Sequence, residues 1–168
     1  MNTGQIENLL RSDCKLSLTF DGVYASDRIP SMTGITTELV VNEDPSSKPG
    51  SHWVAIRIEN QNAEYFDSYG RPPSVVNIVN FLNRNSKSWT FNTKELQALG
   101  SSVCGHYCVW FLSQRARGKT MRDVQSQFSN NANLNDVTVE KLVETRYGKI
   151  GREHIYKPHI QGCICRYI

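Results

Sequence analysis

The stretch Gln97-Ala-Leu-Gly-Ser-Ser-Val-Cys104-Gly-His-Tyr-Cys-Val-Trp-Phe-Leu112 decides how the rest of the chain is read. Cys104, Tyr107, Cys108, Phe111 and Leu112 recur at i, i+3, i+4, i+7 and i+8, the apolar face of a helix set into a core. Ser101 or Ser102 is expected to cap its first turn. Arg115 and Arg117 suit its last turn, and Gly118 ends it. Cys104 therefore falls at a helix N-terminus, where unpaired N–H groups and the helix dipole favour thiolate over thiol. Gly105 leaves room beside the sulfur for a second backbone. Many inert core cysteines occupy such places too. The position alone favours a packed thiol, and three other residues, His52, Asp67 and Gln97, shift the balance.

Working outward, Asn2 to Ser12 reads as a first helix, capped by Asn2 with Gln5 at the reciprocal position and with Ile6, Leu9 and Leu10 on one face. Leu16 to Ile29 reads as loop with little regular structure. Gly34 to Val41 is a short strand. His52 to Ile58 alternates cleanly: Val54, Ile56 and Ile58 face one way, Trp53, Ala55 and Arg57 the other. A polar turn leads to a second strand, Tyr65 to Tyr69, and so to a β-hairpin. Ser74 is expected to cap a helix running to about Asn83, with Val75, Val76, Ile78, Val79, Phe81 and Leu82 buried. Ser88 to Asn92 is a further strand. Thr120 with Asp123 caps a short helix to Phe128, and another helix runs from about Val137 to Tyr147. Glu153 to Ile168 reads as strand or extended chain.

His52 opens the hairpin's first strand and Asp67 lies in its second. A reversal at about Glu59–Asn60 sets the two opposite each other; a reversal two residues later offsets them by about three residues. In the first case the carboxylate fixes the imidazole tautomer and aims the other ring nitrogen outward. A thiol against that nitrogen gives a thiolate–imidazolium pair, the usual activation of a cysteine nucleophile. Gln97 lies seven residues before Cys104. Its amide, with the backbone N–H of Cys104, offers two donors to the oxyanion of a tetrahedral intermediate. Singly, each residue has an ordinary reading: a packed His, a turn Asp, a solvated Gln.

The motifs together are more specific. His-Trp at 52–53, Tyr-Phe-Asp-Ser-Tyr-Gly at 65–70, Gln97 and Cys-Gly-His-Tyr-Cys at 104–108 resemble the adenain-like cysteine proteases, which include the adenovirus maturation protease, and more distantly the SUMO-specific (Ulp-type) proteases. Gly-Val-Tyr-Ala-Ser-Asp-Arg-Ile-Pro at 22–30 extends the resemblance, which covers most of residues 1–115. It implies an α+β fold in which a mixed β-sheet is packed by helices. In this permuted papain-like arrangement the nucleophile sits at the N-terminus of a central helix. It also implies a single protease domain across residues 1–168, Cys104 as nucleophile, His52 as general base and acid, Asp67 as the group that orients His52, and Gln97 in the oxyanion hole. Trp53 is implied to line the substrate cleft. The implied reaction is hydrolysis of peptide bonds near Gly, in viral capsid or core precursors. The alternative is a SUMO- or ubiquitin-like modifier protease.

The resemblance implies no metal or small-molecule cofactor; what it points to is DNA and/or an activating peptide. The family's activator is tied by a disulfide to a Cys ahead of the Gln, and residues 74–97 contain no Cys. The Cys163–Ile164–Cys165–Arg166 tail acting in cis is the alternative. His106, two residues after the nucleophile, is read as helix-surface or pocket-lining, with no catalytic part.

Composition agrees with one ordinary globular domain. No apolar run spans a bilayer and the N-terminus lacks a signal-peptide pattern, so no membrane partner is expected. Five cysteines at irregular spacings read as free thiols in a reducing compartment. Residues 1–100 carry nine basic and eleven acidic side chains; residues 101–168 carry ten basic and five acidic. That basic second part suits weak, salt-sensitive DNA contact. A monomer is expected, located in the virion and host nucleus if viral and otherwise intracellular. A zinc site drawn from Cys104, Cys108, His154, His159, Cys163 and Cys165 is the chemical rival, but a C-x₃-C within a helix fits structural zinc poorly.

Overall fold

The computed structural model describes residues 1–32 and 34–148. The element order is α1(Thr3–Ser12), β1(Phe20–Ala25), β2(Thr36–Asn42), β3(Trp53–Glu59), β4(Asn62–Phe66), α2(Val76–Asn85), β5(Ser88–Phe91), α3(Cys104–Arg115), α4(Met121–Gln125) and α5(Ala132–Tyr147). The strands form one sheet in the order β1-β2-β3-β4-β5. Its outer pairs are parallel and its inner pairs antiparallel, so the sheet is mixed as expected.

Strand alternation divides the core. Leu39, Val41, Val54, Ile56, Ile58 and Tyr65 point to one face and pack under α2. Val40, Ala55 and Phe66 point to the other and pack under α3, flanked by α1 and α5. Each fully buried side chain of this size contributes about 1.5–3 kcal/mol over the exposed state. The second layer centres on α3. Ten of its twelve residues, Cys104, Gly105, Tyr107, Cys108, Val109, Trp110, Phe111, Leu112, Ser113 and Gln114, are buried, and Phe111 stacks on Phe66 with ring centroids 4.5 Å apart. A helix enclosed on nearly all sides is a rigid mount for whatever stands at its end.

Several expectations need correction. Residues 20–25 form a strand where loop was expected. This edge strand owes its existence to parallel pairing with β2, its register slips between Phe20 and Gly22, and only two of its six residues are buried. Such a strand leaves no alternating apolar signature. Val75 takes the cap position of α2 and Val103 that of α3, each without a side-chain cap bond, so Ser74, Ser101 and Ser102 do not serve as caps. Val76 is two-thirds exposed (66%), because α2 turns only Ile78, Phe81 and Leu82 inward. The Thr120–Asp123 capping box is present, but α4 ends at Gln125. Helix α5 begins five residues ahead of expectation, where the Asn131 side chain accepts the Leu134 N–H. The expected strand over residues 153–168 lies outside the described residues.

The hairpin turn settles the register. Asn60 and Gln61 both take positive φ, 51° and 64°, the two-residue turn that matches strand twist. Glu59 then pairs with Asn62 and Ala55 with Phe66. Strand β4 stops at Phe66, so Asp67 lies just past its end instead of within it. Carried on, the register makes His52 and Asp67 diagonal neighbours two residues out of step, on the same side of the ladder. Neither register considered from the sequence is the one found.

Candidate active site

Cys104 is the first residue of α3 and is 7% exposed. No side chain caps that turn. His52 and the backbone N–H groups of Trp53 and Gly105 are the groups that favour the thiolate of Cys104. Burial works against the thiolate, but His52 and these N–H groups outweigh it, and the thiol is held below its ordinary value. The space beside Gly105 is filled by α1: a Cβ there would stand 3.1 Å from both Ile6 Cδ1 and Met1 Cβ. Four residues on, Cys108 is wholly enclosed and burial pushes its thiol well up. One helix thus carries two cysteines of opposite character.

His52 is 6% exposed and its Nε2 lies 2.7 Å from Asp67 Oδ1. That leaves Nδ1 as the ring nitrogen for the sulfur. Burial opposes protonation of the ring, yet the hydrogen bond to Asp67 and the nearby Cys104 sulfur prevail and push His52 up to about 9. Asp67 is also buried, and burial would raise its carboxyl. The His52 bond, the Tyr69 backbone N–H, the charge on His52 and the Arg71 guanidinium instead hold it below the ordinary range. The carboxylate is saturated: Oδ1 takes His52 and the Tyr69 N–H at 2.9 Å, and Oδ2 takes Arg71 Nε at 3.0 Å. Its backbone is clamped as well, because Asn92 Oδ1 accepts the Asp67 N–H at 2.8 Å while Asn92 Nδ2 donates to the Asp67 carbonyl at 2.6 Å. Gly70 closes this turn at φ 69°, against the backbone of Thr93 and Lys94, where any Cβ would clash at 2.8 Å.

Gln97 is fully buried at the rim of the same cleft. Its Oε1 accepts the Ser68 hydroxyl at 2.6 Å, and its Nε2 lies 2.9 Å from the Ser101 carbonyl and 3.0 Å from the Ser101 hydroxyl. The loop bearing it is strutted from α5: Asp136 accepts the Ala98 N–H at 3.3 Å and the Tyr107 hydroxyl at 3.0 Å. The cleft, of about 580 Å³, takes in His52, Trp53, Tyr69, Gln97 and Cys104. A larger hollow of about 710 Å³ lies at the far end of the hairpin beside Asn60 and Gln61, and its described lining holds no Cys, His or carboxylate. Chemistry, not size, separates the two.

His52, Asp67, Cys104 and Gln97 are therefore brought together, and Trp53 lines the same cleft, its indole N–H donating to the Met1 carbonyl at 3.3 Å. His106 is half-buried rather than on the helix surface, and it is absent from the cleft lining. Burial pushes it down to about 4, so its ring is neutral. The Cys163–Cys165 tail and the tail histidines fall outside the described residues. Sequence reasoning missed Ser68, Arg71, Asn92 and Asp136. Ser68 was legible as the residue after the candidate acid; the others reach the site only through packing.

No family model matches the chain. Over 98 residues it is 30% identical to a putative thiol protease, R355, of Acanthamoeba polyphaga mimivirus, in an alignment covering 52% of this chain and 32% of that protein. The chain spans about a third of the length of this curated relative. Among solved structures, the ASFV pS273R protease superposes with a TM-score of 0.58 at 17% identity, covering 82% of this chain and 65% of that one. The two share a fold: a mixed sheet packed by helices, as the resemblance implied. ChlaDub1 from Chlamydia trachomatis aligns with a TM-score of 0.47 at 16% identity, over 66% of this chain and 58% of that one.

Proposed function

We propose that this chain is a cysteine endopeptidase of adenain-like type. The reading rests above all on one ring, His52, hydrogen-bonded to a buried carboxylate through one nitrogen and lining one cleft with a helix-terminal thiol whose thiolate it favours. The similarity to the mimivirus protein agrees with it. Cys104 attacks the scissile carbonyl carbon as a thiolate, and the carbonyl π electrons move to oxygen. Gln97 Nε2 and the backbone N–H of Cys104 receive that oxyanion. The His52 imidazolium gives its proton to the leaving amine as the C–N bond breaks, which leaves a thioacyl-enzyme and a neutral imidazole. Neutral His52 then takes a proton from water, whose oxygen attacks the thioester. Collapse expels the Cys104 thiolate and restores the ion pair. Asp67 keeps the ring in one tautomer and orientation throughout.

The substrates in this reading are proteins with Gly near the cut, such as viral capsid or core precursors, met by a monomer in the virion or host nucleus. Gly specificity rests on the family resemblance, with Trp53 and Tyr69 as aromatic walls near the sulfur. Weak DNA contact through the basic second part of the chain belongs to the same reading. The test is turnover of Gly-containing peptides by wild type beside Cys104→Ala, with and without DNA at two salt concentrations. Cleavage that vanishes in the variant is expected; equal products from both would overturn the proposal. Modifier-fused reporters in the same panel decide between this enzyme and a SUMO- or ubiquitin-like modifier protease.

A further inference from the structure

A glutamine serves an oxyanion only if its nitrogen, not its oxygen, faces the reacting carbon. The two ends of the amide are alike in shape, so the surroundings must choose. Ser101 supplies a carbonyl oxygen, an acceptor only, 2.9 Å from one end of the Gln97 amide, which makes that end the nitrogen. The other end is then oxygen, and the Ser68 hydroxyl 2.6 Å away must donate to it. Both side chains are buried, 0% and 1% exposed, so water does not compete. The same serine also holds the main chain: its carbonyl accepts the Leu96 N–H at 2.8 Å and the Gln97 N–H at 3.0 Å. Ser68 in turn follows Asp67, whose backbone Asn92 pins from both sides.

We propose that Ser68 is a positioning residue that holds the Gln97 amide with its nitrogen toward the cleft. This ties the oxyanion donor to the segment that carries the acid of the Cys104–His52–Asp67 set. The inference rests on the peptidase reading and deepens it. An amide nitrogen has two protons. One stays on the Ser101 carbonyl, and the one now near the Ser101 hydroxyl at 3.0 Å turns to the oxyanion when substrate arrives. Without the Ser68 hydroxyl, the buried Gln97 oxygen loses its donor. The Ser101 carbonyl still bars a half-turn flip, but the amide is then anchored at one end only and its nitrogen is no longer held fixed toward a developing negative charge.

The test separates attack through an oxyanion from attack without one. The p-nitrophenyl ester of N-acetylglycine acylates Cys104 through a tetrahedral oxyanion, releasing p-nitrophenolate. Iodoacetamide alkylates the same thiolate by displacing iodide, with no oxyanion. Ser68→Ala is expected to slow acylation about ten- to a hundredfold while alkylation stays within about twofold. The Ser68→Ala/Gln97→Ala double variant is expected to be no slower than Gln97→Ala alone. Acylation by Ser68→Ala at the wild-type rate overturns the inference. So does alkylation that falls in step with acylation, or a double variant slowed by the product of the single effects. If wild-type Cys104 alkylates no faster than Cys14, the peptidase reading itself fails and takes this inference with it; a reactive Cys104 beside an unaffected Ser68→Ala removes the inference alone.

Discussion

Asp67 and Asp13 are both buried aspartates, 1% and 4% exposed, and both are held below the ordinary carboxylate range against the push of burial. They sit near opposite ends of α3. Asp13 is gripped bidentately by Arg117, each oxygen 2.9 Å from one guanidinium nitrogen, and it also accepts the Tyr147 hydroxyl at 2.7 Å. That cluster joins the C-terminal ends of α1, α3 and α5, and its cation is permanent. Asp67 has an imidazole as its main partner, and the imidazole is shared with a thiol at the cleft. The same side chain, in similar burial, thus fastens helices in one place and keeps a proton mobile in the other. The difference lies in whether the partner titrates and whether a reactive atom stands beyond it.

The contrast breaks most sharply at the sulfur. Cys104→Ala is expected to reduce peptide turnover on the order of 10⁶-fold, as for loss of a nucleophile elsewhere, while the urea midpoint moves little. Asp67→Asn is expected to lower kcat on the order of 10⁴-fold by presenting the wrong His52 tautomer; wild-type kcat in this variant would make Asp67 a second Asp13. Asp13→Asn should do the reverse. Weakening a nearly buried pair costs about 3 kcal/mol of unfolding free energy, readable in urea, with kcat unchanged at temperatures where the variant is folded.

The pH responses sharpen the same point. Asp13 has a folded-state value below its ordinary 3.8. Its stabilisation is therefore complete above that ordinary value and is lost as pH falls through the lowered one. Turnover follows other groups. It is expected to rise with formation of the Cys104 thiolate, below the ordinary thiol value of 9.0, and to fall through about 9 as the His52 imidazolium loses its proton. A kcat/KM profile against pH, set beside acid unfolding, checks both. The smallest effect is expected at Gly105→Ala. Ile6 and Met1 must yield a few tenths of an ångström to the new methyl, for about 1 kcal/mol in a thermal melt.

The central helix, the hairpin's alternation, the α1 capping box and the four candidate catalytic residues were legible in the sequence. Each is a local pattern: a 3.6- or 2-residue period, a cap at fixed offset, or a motif of adjacent residues. The gap beside Gly105 was expected to admit a second backbone, but the side chains of Ile6 and Met1 fill it. Strand β1, the hairpin register and the true cap of α3 were not. An edge strand exists only through its neighbour, and a two-residue turn is distinguished from its alternatives by backbone torsions that Asn60 and Gln61 permit without announcing.

What the sequence determined by itself is the chemistry available: a thiol at a helix start, an imidazole at a strand start, a carboxylate on the hairpin's second arm and an amide upstream of the thiol. What the tertiary structure alone decided is their relation. Fifteen residues part His52 from Asp67, twenty-nine part Ser68 from Gln97, and one hundred and four part Asp13 from Arg117. No short-range period reaches across such distances. Only the shared core, in which the sheet packs against α3 and α3 against α1 and α5, sets those groups within hydrogen-bonding reach and closes them off from water, where their charges come to matter.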